Sequence, residues 1–99
     1  MFHVYILFSK KLDRFYIGQT TLAIEERLDQ HNKGFNENSF TTKGRPWELY
    51  LLLTCNSREQ AQKVERHIKK MKSKTYINNL FKYPEMREKL LKRFEISTE

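Results

Sequence analysis

A single cysteine among 99 residues excludes an internal disulfide, and with it the stapled scaffolds of small secreted domains. Cys55 closes an apolar stretch, so it is read as a small core residue rather than a nucleophile, and a reducing cytoplasm is the expected compartment. Long hydrophobic runs are missing too. Runs such as "VYIL" at 4–7, extended by Phe8, and "LYLLL" at 49–53 fall far short of the roughly 20 apolar residues that a membrane-spanning helix needs. Met1 leads straight into strand-like alternation, so no signal peptide is expected. Glycine and proline number three and two, and neither repeats nor low-complexity tracts interrupt the chain. The expectation is one domain over 1–99, with 83–99 a peripheral C-terminal helix.

Acidic residues are in deficit. Nineteen Lys and Arg face twelve Asp and Glu, for a net charge of +7. The excess lies late in the chain: between Arg58 and Arg93 twelve basic residues meet four acids. Such a surface suits a polyanion, most simply nucleic acid, although a solvated basic face has the same composition.

What is present reads as alternating short elements. Phe2, Val4, Ile6 and Phe8 alternate with His3, Tyr5 and Leu7, and Phe15 and Ile17 alternate with Tyr16 and Gly18. With the short polar segment "SKKLDR" between them, this predicts a β-hairpin. A helix follows, capped by Thr20 or Thr21, carrying Ile24, Leu28 and His31 and closed by Gly34. Residues 35–46 read as a long mobile loop, and "WELYLLLTC" at 47–55 as a third strand, apolar on both faces and therefore central. Ser57 and Gln60 form a capping-box signature ahead of a stripe of Ala61, Val64, Ile68 and Met71. Further helix is expected over 73–81, and Pro84 starts a last helix with Met86, Leu90 and Phe94 inward. Met71 and Met86 are read as core, Trp47 as packing the strand entrance, and His3 and His67 have no identifiable partners. The order β-β-α-β-α with extra C-terminal helices implies an α/β (α+β) fold, a three-stranded, mainly antiparallel sheet flanked by helices.

Face arithmetic sharpens the hairpin. Burying Phe15 and Ile17 beside Val4, Ile6 and Phe8 requires an even-numbered loop, and the same register brings Tyr5 and Tyr16 together on the other face beside Gly18. Arg27 and His31 lie four apart on the first helix, within the stripe of Ile24 and Leu28. An inward arginine needs an anionic partner. Glu65 borders the buried stripe of the next long helix, where it is either that partner or a ligand for a hard divalent cation. Two phenols, an arginine, an imidazole and a carboxylate form a coherent set for phosphodiester cleavage.

These residues resemble the GIY-YIG nuclease superfamily, particularly its small single-domain members, over about Phe2 to Leu80. "YIG" at 16–18 matches half of the signature, and "HVY" at 3–5 keeps the tyrosine of the other half without its glycine. "EERLDQH", "GRPWELY" and "AQKVERHIKKMKS" are similar to the family's arginine helix, third strand and metal-binding helix. The resemblance implies Tyr16 as general base, Tyr5 as its hydrogen-bonding support near the phosphate, Arg27 as transition-state stabiliser and His31 as the group that orients a phenol or relays its proton. It implies Glu65 as ligand of one Mg2+ or Mn2+ ion, with Gly18, Gln19 and Asn78 in support. Gln19 stands where some branches have lysine, and Asn79 competes with Asn78 for the family's asparagine. Lys69, Lys70, Lys72 and Lys74 are the expected nucleic-acid contacts.

The expected function is a divalent-metal-dependent DNA endonuclease, structure-selective and acting in repair or recombination. A protein partner or homo-oligomer would supply specificity, since larger members carry a separate DNA-binding module. The alternatives are a catalytically weak or inactive nucleic-acid-binding module of the same fold, and an interaction domain with a structural Arg27–Glu65 salt bridge.

Overall fold

The computed structural model describes residues 1–33 and 43–95. Strands β1 (Phe2–Ser9) and β2 (Arg14–Thr20) pair antiparallel across a connection at 10–13. Asp13 takes the left-handed conformation at φ 53, which its short polar side chain tolerates, and the Ser9 hydroxyl accepts the Leu12 N–H at 3.1 Å. Phe8 stands opposite Phe15 and Ile6 opposite Ile17; Leu7 stands opposite Tyr16 and Tyr5 opposite Gly18. The even-numbered connection therefore puts the aliphatic set on one face and both phenols on the other, as the parity argument requires.

Strand β3 (Trp47–Cys55) pairs antiparallel with β1, giving the order β2-β1-β3. The expectation that β3 is central is overturned: β1 is the centre and β3 an edge. Apolar residues on both sides of β3 report the helices above and below it, and say nothing about hydrogen-bonded neighbours in the sheet. Helix α1 (Ile24–Lys33) covers one face, where Ile24 clusters with Tyr5, Leu7 and Trp47. Helix α2 (Arg58–Met71) covers the other, packing Ala61, Val64 and Ile68 on Val4, Ile6, Leu51 and Leu53.

A β-bulge between Ile6 and Leu7 shifts the β3 register, leaving Tyr50 as the extra residue. Leu51, Leu53 and Cys55 face α2. Strict alternation would send Trp47 the same way, but the inserted residue turns it to the α1 face. Tyr50 joins an aromatic group with Phe8, Phe15 and Phe81 on the α2 side.

The expected threonine cap is not formed. Thr20 Oγ1 accepts the Leu22 N–H at 3.0 Å in a turn before α1, and the helix begins at Ile24. The capping box at α2 is half-realised. Ser57 Oγ accepts the Gln60 N–H, but the Gln60 side chain reaches one residue further back, accepting from Asn56 N at 2.7 Å and donating to the Leu91 carbonyl at 2.8 Å. Ser73 caps α3 (Lys74–Lys82), and Pro84 opens α4 (Pro84–Arg93), which delivers Leu90 to the core with Met86 and Phe94 packed beside it. Met71 is not core: it is 44% exposed in the last turn of α2, where it lines an open hollow against α4, and Lys72 then ends the helix at φ 48. Among the described residues no helix is long and apolar enough to cross a membrane. The expected mobile loop lies mostly outside the described residues, as does Gly34.

Candidate active site

Tyr5 sits in the middle of the central strand and is completely buried. Its ring lies over Gly18, directly across the hairpin: a Cβ at Gly18 would stand 2.5 Å from the Tyr5 hydroxyl and 2.6 Å from Cζ. Gly18 is therefore glycine to make room for a phenol. Helix α1 crosses this face with Arg27 and His31 one turn apart, and both reach the hydroxyl. Arg27 Nε donates to it at 3.0 Å, and His31 Nε2 lies 2.9 Å from it. Arg27 Nη1 also donates to Gln30 Oε1 at 3.0 Å, which fixes the guanidinium along the helix.

Burial raises the Tyr5 pKa above the ordinary phenol value. The Arg27 hydrogen bond and charge oppose this, while Tyr16 and the Glu65 carboxylate reinforce it. His31 is lowered to about 4, first by burial and then by the Arg27 charge, so it is neutral at physiological pH. Its Nδ1 is buried without a hydrogen-bond partner among the described residues.

Tyr16 lies beside this centre and is only half-buried. Its ring is 6.4 Å from that of Tyr5, 4.9 Å from the His31 imidazole and 6.0 Å from Trp47. The bulge in β3 thus supplies the indole that walls Tyr16. Residues with no motif hold that wall. Asn32 Oδ1 accepts the Trp47 N–H at 2.6 Å and its Nδ2 donates to the Trp47 carbonyl at 3.1 Å; Arg45 Nε donates to the His31 carbonyl at 3.1 Å. Gly44 leaves space for the indole, since a Cβ there would collide with it.

Glu65 approaches from the opposite layer at the β2 edge. Two open hollows of about 360 and 320 Å³ adjoin there, sharing Gln19 and Gln62 as a common wall. Arg27 and Arg58 line the first; Glu65, Arg66 and Lys69 line the second. Arg27 and Glu65 do not pair. Glu65 Oε2 instead meets Lys69 Nζ at 2.6 Å, while Oε1 is buried with no hydrogen-bond partner among the described residues. An orphaned carboxylate oxygen in a polar hollow fits a hard cation. No cluster of three His, Cys, Asp or Glu exists among the described residues, so such an ion would complete its shell with water and substrate oxygens, as magnesium commonly does.

Four expected residues thus converge directly: Tyr5, Tyr16, Arg27 and His31. Glu65 lies within electrostatic reach of Tyr5, and Gln19 lines the hollow between. Asn78 is engaged elsewhere, its Oδ1 accepting from the Tyr50 hydroxyl at 2.7 Å. Among the lysines, Lys69 is paired to Glu65 and Lys74 donates to Asp13 at 2.7 Å (backbone oxygen) and 3.0 Å (carboxylate), while Lys70 and Lys72 are exposed. His3 does have a partner, Thr54 Oγ1 at 3.2 Å, and His67 packs its ring against Tyr76 and Phe94. Sequence reasoning missed Gln30, Asn32, Arg45, Arg58 and Gln62. The proximity of Asn32 to His31 was its only signal.

Comparison with known proteins gives one positive result. A family model described as the GIY-YIG catalytic domain matches residues 1–79. No curated protein matches the chain, and no solved structure matches it. Strands β1–β3, helices α1 and α2 and every residue of the tyrosine centre fall within the matched segment, which spans most of the 99 residues, and the chain belongs to the GIY-YIG family.

Proposed function

We propose that this domain is a divalent-metal-dependent endonuclease that hydrolyses DNA phosphodiester bonds. The family is a nuclease family; the metal, the substrate and the residue roles are the present reading. The observation that carries it is the buried Tyr5 hydroxyl, held by Arg27 and His31 beside a more accessible second phenol.

Tyr5, kept protonated by burial, serves as a fixed hydrogen-bonding post rather than a base. The half-buried Tyr16 is the phenol a water molecule can reach, and it is assigned as general base. Arg27 lines the hollow beside β2, where its charge opposes the negative charge that builds on phosphorus. Neutral His31 anchors the Tyr5 hydroxyl and sets its direction. Glu65 would hold Mg2+ or Mn2+ through its unpaired oxygen. A bound ion contributes polarisation of a phosphoryl oxygen and support for the leaving oxygen. Gln19 lines both hollows. Selectivity for branched or flapped DNA, a role in repair or recombination, and a partner that adds specificity belong to the same reading.

The test is nicking of linear, branched and flapped DNA with and without magnesium. Tyr16→Phe should lower the rate about 10²–10⁴-fold, as loss of a general base does. Arg27→Ala and Glu65→Ala should abolish cleavage while the proteins remain folded. Equal nicking by wild type and Glu65→Ala would refute the proposal. A module that binds nucleic acid without cutting is the second reading, supported by Gln19 and the basic helices. Salt-sensitive DNA binding without cleavage under every metal condition would establish it.

A further inference from the structure

The flank of α2 facing away from Glu65 borders a second feature. Helix α4, whose residues all lie beyond the matched segment 1–79, packs along this flank and leaves two adjoining hollows of about 370 and 490 Å³. These volumes fall in the range of ligand-sized clefts, about 300–1,000 Å³. His67 and Arg93 line both hollows. Lys63, Arg66 and Lys70 complete the rim of one, and Lys89 stands in the other. No acidic residue lines either hollow. Of these cations only Lys63 has an ion-pair partner among the described residues, Glu59 at 3.2 Å.

The floor is aromatic and apolar. His67 meets Tyr76 at 5.8 Å and Phe94 at 5.5 Å between ring centroids, and the Arg93 guanidinium lies 5.2 Å from the Phe94 ring centre. Burial, Arg93 and Lys70 all lower the His67 pKa, in keeping with positive potential in the cleft. Arg66 connects the two sides of α2, lining both the Glu65 hollow and the α4 cleft. The path between them is about one helix width, roughly 10 Å.

We propose that the α2–α4 cleft holds a single-stranded DNA arm of the substrate, its phosphates on Arg66, Lys70 and Arg93 and its bases against the Phe94–His67–Tyr76 row. Cations interleaved with ring faces suit an unpaired strand, whose bases are free to stack. A duplex hides those faces and would use the rim cations alone. The proposal rests on the endonuclease reading only for the route that brings the strand to the cleft over Arg66.

Fluorescence anisotropy with a labelled oligothymidine of ~10 nucleotides and a matched blunt duplex tests it on the full chain. The Lys70→Ala/Arg93→Ala double variant alters exposed side chains. It should reduce the slope of log affinity against log salt by about 1.4 for the single strand, the value for two lost phosphate contacts. Phe94→Leu keeps an apolar group against the core and should weaken single-strand binding about five-fold or more, with the duplex little changed. Unaltered melting curves establish that the variants are folded. No single-strand binding by the wild type, unchanged single-strand binding by these variants, or a loss with Phe94→Leu that is equal on both probes would overturn the proposal. In a parallel cleavage assay Phe94→Leu should cut blunt duplex like wild type and lose preference for flapped DNA. If wild type cuts nothing while cleft-dependent binding persists, the endonuclease reading fails and the cleft stands.

Discussion

Gly18→Ala tests whether the tyrosine centre is built as described. The glycine has no left-handed φ, so alanine meets no backbone strain there, and its smaller unfolded-state entropy alone would stabilise the protein by about 0.4–1 kcal/mol. Sterics reverse the sign. With a Cβ placed 2.5 Å from the Tyr5 hydroxyl, the phenol must retreat by about 1 Å to reach ordinary contact. Tyr5 is fully enclosed on the central strand, so it has no open direction, and retreat strains its bonds of 3.0 and 2.9 Å to Arg27 and His31. Overpacking costs about 1–3 kcal/mol and a strained hydrogen bond about 1 kcal/mol more. The net loss is about 1–3 kcal/mol, a fall in Tm of roughly 5–20 °C for a domain of this size. Calorimetric melting of Gly18→Ala, Tyr5→Val and the double variant measures it. Once the ring is gone the three atoms nearest the alanine methyl are gone with it, so the cycle should show at least about 1 kcal/mol of coupling. Strictly additive effects, or a melting point for Gly18→Ala at or above wild type, would refute the steric reading.

Three further outcomes follow from the site. His31 is neutral in the fold down to about pH 4, whereas the unfolded chain binds a proton below about 6.5; stability should therefore fall between these values, by about 3 kcal/mol, in wild type but not in His31→Gln, as pH-dependent denaturant melts will show. Asn32→Ala should cost about 1–3 kcal/mol and speed amide exchange at Trp47, because it strips both main-chain partners from the start of an edge strand. Glu65→Ala should change stability by less than about 1 kcal/mol, since among the described residues the carboxylate pairs only with exposed Lys69. If Glu65 holds the ion as proposed, manganese at 100 times Kd should stabilise wild type by about 2.7 kcal/mol, seen as a higher Tm, and should not stabilise that variant.

The readable parts of the chain were those where one local rule had one solution. Alternation in 2–8 and 15–18 plus the need for a common apolar face left one hairpin parity, and that parity paired the phenols. Spacing of four put Arg27 and His31 on one side of α1, and both reach Tyr5. The misreadings came where position along the chain does not determine position in the sheet. "LYLLL" reports coverage above and below, which an edge strand between two helical layers satisfies as well as a central one. Met71 keeps the helical period of the α2 stripe but lines the open hollow beside α4 instead of the packed core. Asn32 and Arg45 act through main-chain atoms of Trp47 and His31, so no residue pattern advertised them. Asn78 stands near the spacing that the family resemblance implies for a supporting amide, and in the fold its oxygen accepts from the Tyr50 hydroxyl.

The extra residue in β3 splits that strand into two reading frames. Upstream of Tyr50, odd positions point toward the tyrosine centre; downstream, odd positions point toward the opposite layer. Loss of a single residue from 48–50 would remove the bulge and merge the frames with the indole still opposite Ser9 and turned toward Tyr16, whereas loss of two would set it opposite Phe8 and swing it to the other face. A chain one residue shorter here would therefore keep both its sheet and this wall of its chemistry, while one two residues shorter would keep the sheet and lose the wall.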